Sequence, residues 1–328
     1  MNLRHHLAAT AAIAMLCAGA CLPAIAQAQP YPNKPVRLVV GFAPAGAADY
    51  VARAISESLG RALGQSVLVE NRPGAGSSVA ADYVAHAAPD GYTMLLASPS
   101  SISVNPALNP KLGYKPGDLT PISKVSSSFL VVAVNPNVGI NSLKDLIAAA
   151  KKDPGKLNYA TSGNGSAPHL SSVLFARLAG VDVVHVPFKG GSPAVQSVIA
   201  GDTQFTFGTS PSVLPLVRAG RLKALAITTR ARSALEPELP GMAEAGLPDY
   251  DMSFWYGLFA PAGTPPAVLK RIFEANGKAA QDPAVKQAFA REGTEVAPSK
   301  SPEEFAAFLA EDAKFWVRLV KDSGAKID

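Results

Sequence analysis

A short β-branched strand, a glycine-containing turn and an amphipathic helix follow one another near the start of this chain, and the same succession begins again after Thr120. That recurrence constrains the fold more than any single motif. In the first unit Val36 to Val40 reads as a strand running into Gly41 to Gly46. Asp49 to Leu63 then carries apolar residues at helical spacing, at Val51, Ile55, Leu59 and Leu63. Val67 to Val69 is a second strand, Val79 to Ala87 a helix and Thr93 to Ala97 a third strand. The second unit repeats the alternation: strands at Leu130 to Val134, Leu157 to Ala160, Val183 to Val186, Thr203 to Phe207 and Ala224 to Thr228. Helices lie between them at Ser142 to Lys151, Pro168 to Leu178 and Pro193 to Ala200. Strands alternating with helices at this spacing predict an α/β fold whose sheets are mostly parallel, with ligands at the carboxyl ends of the strands.

A third stretch, with a strand at Phe254 to Ala260 and helices over Pro266 to Ala280, Pro283 to Glu292 and Pro302 to Asp322, has no full unit of its own. It is expected to complete the first domain, giving domain 1 as residues 29–130 plus 249–328 and domain 2 as residues 131–248. The alternative is two consecutive independent domains. Two chain crossings make a hinge beside a cleft. Residues 1–28 read as a signal peptide: Arg4, His5 and His6 precede the apolar run Leu7 to Leu22, with small-residue cleavage patterns ending at Ala26 and Ala28. Both cysteines, Cys17 and Cys21, fall inside that segment, so the exported chain would hold no thiol. Ala18-Gly19-Ala20 before Cys21 leaves lipidation there as a second possibility.

Charge and motif content exclude several function classes. The net charge of +5 becomes +4 once Arg4, the one charged residue of residues 1–28, is removed, and the basic residues are scattered. A nucleic-acid partner calls for a clustered basic face, so none is expected. Gly74-Ala75-Gly76-Ser77-Ser78-Val79 lacks the last glycine of a dinucleotide loop. Gly163-Asn164-Gly165-Ser166-Ala167 is not a nucleophile elbow, because Ser166 has no glycine two positions on. His86, His169 and His185 show no metal-ligand spacing, and no metal or cofactor is expected.

What does recur is a strand end, a run of small residues and a helix start. Phe42-Ala43-Pro44-Ala45-Gly46-Ala47-Ala48-Asp49 closes the first strand, and Thr161-Ser162-Gly163-Asn164-Gly165-Ser166-Ala167-Pro168-His169 closes one in the second unit. Helix starts carry unpaired N–H groups and the positive end of a dipole, and so bind carboxylate or phosphate without a dedicated cation. One such loop on each side of a cleft would clamp an anion. Each residue also has a plainer reading. Asp49 suits a helix cap, Thr161, Ser162 and Ser166 suit a tight loop, His169 a structural hydrogen bond, and Trp255 domain packing.

The chain resembles the Bug-type receptors of tripartite tricarboxylate transporters. The resemblance rests on Tyr31 to Arg37, Pro44-Ala45-Gly46 with Asp49, Asn71 to Gly76, Pro89 to Thr93, Tyr159 to Ser166 with His169-Leu170, His185 to Gly191, Ala243 to Gly246 and Trp255 to Pro265. It implies a two-domain Venus-flytrap fold and a periplasmic receptor for a small carboxylate, such as an amino acid, a di- or tricarboxylate or an aromatic acid. The partners it implies are subunits of a cytoplasmic-membrane transporter, met by a monomer. It further implies that the loop after the first strand and the loop matching Thr161 to Ser166 hold a carboxylate. This chain departs from the pattern at Ala47, Ala48 and Ser77, where the family has glycine, threonine and glycine.

The expected ligand-binding residues are therefore Phe42, Pro44, Ala45, Gly46, Ala47, Asp49, Ser98, Ser100, Thr161, Ser162, Gly163, Asn164, Gly165, Ser166, His169, Phe188, Lys189 and Thr209. No catalytic residue is expected. Two other functions stay open: a sensor that presents its closed form to a membrane kinase, and a secreted enzyme using His169 or Lys189.

Overall fold

The computed structural model describes residues 31–109 and 111–323; residues 1–28, expected to be a signal peptide, and both cysteines lie outside the described residues. Strand β1 (Val36–Val40) enters helix α1 (Ala47–Leu63), whose Val51, Ile55 and Leu59 are wholly buried and whose end is closed by Gly64 at φ 84°. The left-handed backbone there suits glycine, which has no Cβ to clash. Then follow β2 (Val67–Asn71), α2 (Ser78–Ala85) and β3 (Thr93–Ala97). A π-helical turn (Ser100–Val104) next runs into α3 (Asn105–Leu108), and β4 (Leu119–Ser128) crosses towards the second unit. That unit is β5 (Leu130–Val134), α4 (Leu143–Lys152), β6 (Asn158–Thr161), α5 (Ala167–Ala179), β7 (Val184–Pro187), α6 (Gly191–Ala200), β8 (Phe205–Thr209), α7 (Ser210–Arg218) and β9 (Lys223–Ile227). The chain returns through α8 (Met242–Ala245) to β10 (Phe254–Pro261), α9 (Pro266–Gln281), α10 (Pro283–Arg291), β11 (Thr294–Val296) and α11 (Pro302–Ser323).

The strands form two sheets, ordered β11-β4-β10-β3-β1-β2 and β7-β6-β8-β5-β9. Each is parallel at one side only: β1 with β2 and β3, and β6 with β7 and β8. There a crossover helix separates consecutive strands, as parallel pairing requires. The other side of each sheet is antiparallel, because β10 comes back along β3 and β4, and β5 pairs with β8 and β9 in the opposite sense. The sheets are therefore mixed rather than mostly parallel.

Sheet membership changes twice, between Ser128 and Leu130 and between Ile227 and Phe254. One hydroxyl ties the two passages: Thr228 Oγ1 accepts from the Leu130 N–H at 2.9 Å and donates to the Met252 carbonyl at 2.8 Å. A continuous apolar core fills both sheets. A second cluster is built on Trp255, whose ring meets Phe305 edge-on at 5.8 Å and whose Nε1 donates to Asp312 Oδ2 at 2.8 Å. Trp255 thus serves packing within the first unit.

The sequence patterns do not mark β4, α7 or β11. In β4, Pro121 and the serines at its end read as a turn, yet Ile122 and Val125 are buried between neighbouring strands. In α7, Pro211 and Pro215 hide a helix whose Val213 and Leu214 are buried. Tertiary packing outweighs local propensity in both.

Candidate functional site

Between the two sheets lies a small cavity of about 20 Å³, built from strand ends and helix starts. The first unit contributes Phe42, Gly46, Ala47 and Ala48 from the β1–α1 loop, Ser100 after β3, and Phe254 and Tyr256 from β10. The second contributes Ser162, Ala167 and Pro168 after β6, Gly191 at the start of α6 and Thr209 at the end of β8. A space that narrow brings the linings of the two sides close together.

Gly76, more than Gly46, lets the two sides approach. A methyl placed on Gly46 would stand 3.8 Å from the Gly191 nitrogen and 4.0 Å from that of Ser192. One on Gly76 would fall 2.5 Å from the Asn164 carbonyl. The second position admits no side chain without displacing backbone.

The first loop is braced from behind. Ala45 sits at φ 60°, unusual for a residue with a Cβ, and its N–H donates to Asp49 Oδ2 at 3.0 Å, which also takes Arg53 Nε at 2.9 Å. Burial pushes the Asp49 carboxyl up, but the hydrogen bonds from Arg53 and Ala45 outweigh it and leave the group below the usual carboxylate range. Asp49 lies in the first turn of α1; the residue at the cap position is Gly46, which supplies no side-chain cap. Pro44 and Ala45 are exposed.

The second loop spends its polar groups within itself and on β7. Thr161 Oγ1 lies 2.6 Å from His185 Nε2 and accepts from the Gly163 N–H at 3.2 Å. Ser166 caps α5 by accepting from the His169 N–H, and the Gly165 N–H donates to His169 Nδ1 at 3.2 Å. The His169 and His185 rings stack at 4.1 Å, with Tyr159 beyond His185 at 5.1 Å. Burial pushes the His169 imidazole down to about 4. Burial, with His169 as a second cause, pushes that of His185 down to about 3, so both are neutral near pH 7 and able to accept.

Of the residues singled out in the sequence, Phe42, Gly46, Ala47, Ser100, Ser162 and Thr209 line the cavity. Ser98 is buried but is not part of the lining, and among the described residues its Oγ has no hydrogen-bond partner. Asp49, Thr161, Gly163, Gly165, Ser166 and His169 stand behind the loops as braces. Asn164 is half-buried, Phe188 packs its ring against the core of the second sheet, and Lys189 is exposed. Ala167, Pro168, Gly191, Phe254 and Tyr256 line the cavity outside the expected set, and Ala48 lines it within the expected Pro44 to Asp49 clamp. Two signals were available. Phe188-Lys189-Gly190-Gly191-Ser192 repeats the pattern of strand end, glycine and helix start, and period-two alternation on β10 puts Phe254 and Tyr256 on the face opposite Trp255. Among the described residues, no lysine or arginine lines the cavity.

Comparison with known proteins agrees with this architecture. The tripartite tricarboxylate transporter family receptor description matches residues 51–325. Protein BugT of Bordetella pertussis is 37% identical over 97% of this chain and 98% of its own length. Among solved structures, Rpa4515 of R. palustris with adipate superposes with a TM-score of 0.87 at 31% identity, covering 90% of this chain and 100% of that one. MatC of Rhodopseudomonas palustris with bound malate does so at 0.84 and 32% identity, covering 88% and 100%. The fold is that of a two-domain periplasmic binding protein of the Venus-flytrap type. From the match over most of its length, this chain belongs to the receptor family of the tripartite tricarboxylate transporters.

Proposed function

We propose that this chain is a periplasmic receptor that captures a small carboxylate between its two domains and delivers it, as a monomer and without chemical turnover, to transporter subunits in the cytoplasmic membrane. The observation that carries this reading is the cavity itself, formed where strand ends and helix starts of two sheets converge with no cationic side chain in its lining among the described residues. Backbone N–H groups and helix dipoles suit an anion held in a partly desolvated site. Related receptors with adipate and with malate support the ligand class. The domains are taken as residues 29–130 plus 249–328 and residues 131–248, hinged at the two passages that Thr228 ties together. Export is by a signal peptide cut after Ala26 or Ala28. A ligand that touches both domains binds their closed arrangement better than the open one, and that difference drives closure.

A thermal-shift series on the mature protein tests this directly. A carboxylate present at one hundred times its dissociation constant adds about 2.7 kcal/mol of stability, enough to move the melting temperature by several degrees. A melt shifted only by sugars or uncharged peptides would overturn the reading.

A further inference from the structure

The two strand-end loops were expected to clamp the anion from opposite sides, but the second has few donors left to offer. Within it the N–H of Gly163 goes to Thr161 Oγ1, that of Gly165 to His169 Nδ1 and that of His169 to Ser166 Oγ. The start of α6 differs. Its cap position is Gly190, which supplies no side-chain cap, and α6 is ten residues long, so its leading N–H groups lack intrahelical acceptors. These groups face the equally uncapped start of α1: the Gly191 and Ser192 nitrogens stand 3.8 and 4.0 Å from where a Gly46 methyl would be. Gly46 and Gly191 line the same cavity. A second observation points to a ligand there. Ser100 also lines that cavity, is 1% exposed, and its Oγ has no hydrogen-bond partner among the described residues. A buried hydroxyl left unpaired is costly, and an anion supplies the acceptor it lacks. Thr209, the residue before α7, adds another hydroxyl to the lining; it donates to Ser212 Oγ at 3.1 Å and would turn from that partner to reach an anion.

We propose that the second domain grips the ligand through the start of α6, with the backbone N–H groups of Gly191 and Ser192 and the Thr209 hydroxyl sharing one carboxylate head with the start of α1. The Thr161 to Ser166 loop acts as the scaffold behind it. This rests on the carboxylate-receptor reading above. It assigns Ser100, Gly191, Ser192 and Thr209 to the head-group site, and it makes the anchor independent of any side-chain cation.

The test uses malate, adipate and benzoate as probes, with dissociation constants measured by calorimetry on the mature protein. Ser192→Pro removes one N–H in the first turn of α6, where proline is tolerated, and Thr209→Val removes the hydroxyl at nearly constant shape. Expected are a loss of at least tenfold in affinity for Ser192→Pro and of severalfold for Thr209→Val, with far-ultraviolet circular dichroism and the ligand-free melting temperature close to those of the parent. Ser162→Ala serves the rival arrangement, in which the β6–α5 loop holds the head. If Ser162→Ala loses tenfold while Ser192→Pro and Thr209→Val keep parental affinity, the assignment to α6 is overturned and the receptor reading stands. If the parent protein binds none of the three probes, the carboxylate reading itself is overturned, and the α6 site with it.

Discussion

The loops after β1 and after β6 look alike in sequence, each a run of small residues between a strand and a helix, yet the structure uses their polar groups differently. After β1 the brace is a carboxylate, Asp49, which holds the strained Ala45 from inside the helix and leaves the helix start open towards the cavity. After β6 the brace is a pair of stacked imidazoles, and the helix start is closed by Ser166. Similar spacing therefore fixes where a loop lies, whereas its remaining donors depend on which neighbours face it from other strands.

That contrast can be broken most strongly at His169. Replacing it with alanine leaves the buried Gly165 N–H without its acceptor and opens a void beneath the second loop, so His169→Ala should cost about 2–4 kcal/mol of folding stability in denaturant titration. A loss well under 1 kcal/mol would show that the imidazole does not hold the loop.

On the first side the expected loss is in binding instead. Gly46 has φ −90°, which any residue adopts, and a methyl there makes ordinary contacts, the nearest being 3.4 Å to the Ala43 carbonyl. Gly46→Val should keep the ligand-free melting temperature but weaken carboxylate binding by about a hundredfold, equivalent to about 2.7 kcal/mol, because its branches cover the helix start. Gly163→Val is not an equivalent probe. Gly163 sits at φ 121°, and a Cβ there meets the Phe188 carbonyl at 3.2 Å, so that variant reports backbone strain before it reports on the ligand.

Acid sharpens the contrast further. His169 and His185 titrate near 4 and 3 in the folded chain, against about 6.5 when unfolded. Between those values the unfolded chain binds more protons, so the stability that depends on neutral imidazoles is complete above about pH 6.5 and is lost as pH falls towards 4. The unfolding midpoint should fall across that window, and His169→Gln, which keeps an acceptor but does not titrate, should flatten the fall. An identical slope in parent and variant would remove His169 from the effect.

The smallest change belongs to the carboxylate brace. Asp49→Asn keeps an oxygen for the Ala45 N–H and gives up the charge facing Arg53, whose side chain is 57% exposed. The expected cost is about 1 kcal/mol or less, since exposed partners are screened by solvent. A cost of several kcal/mol would mean that Asp49 does more than hold its loop.

Much was legible in the sequence because it depends on neighbours along the chain. Hydrophobic periodicity located β1, α1, β3 and β5 almost to the residue, and the recurrence of strand, glycine turn and helix brought Gly46, Ser162 and Thr209 to one region, since parallel strands joined by helices present their carboxyl ends on one side. Other features depend on groups distant in sequence. Pairing of β4 with β10 and β11 overrode its proline and serines, and the return of β10 placed Phe254 and Tyr256 in the cavity. Hydrogen bonds to His169 Nδ1 and Thr161 Oγ1 consumed donors that the sequence left free for an anion. A residue's spacing determines the face it occupies. Only the assembled structure decides which polar groups meet there, because hydrogen bonds act over about 3 Å and the partners are brought within that distance by packing.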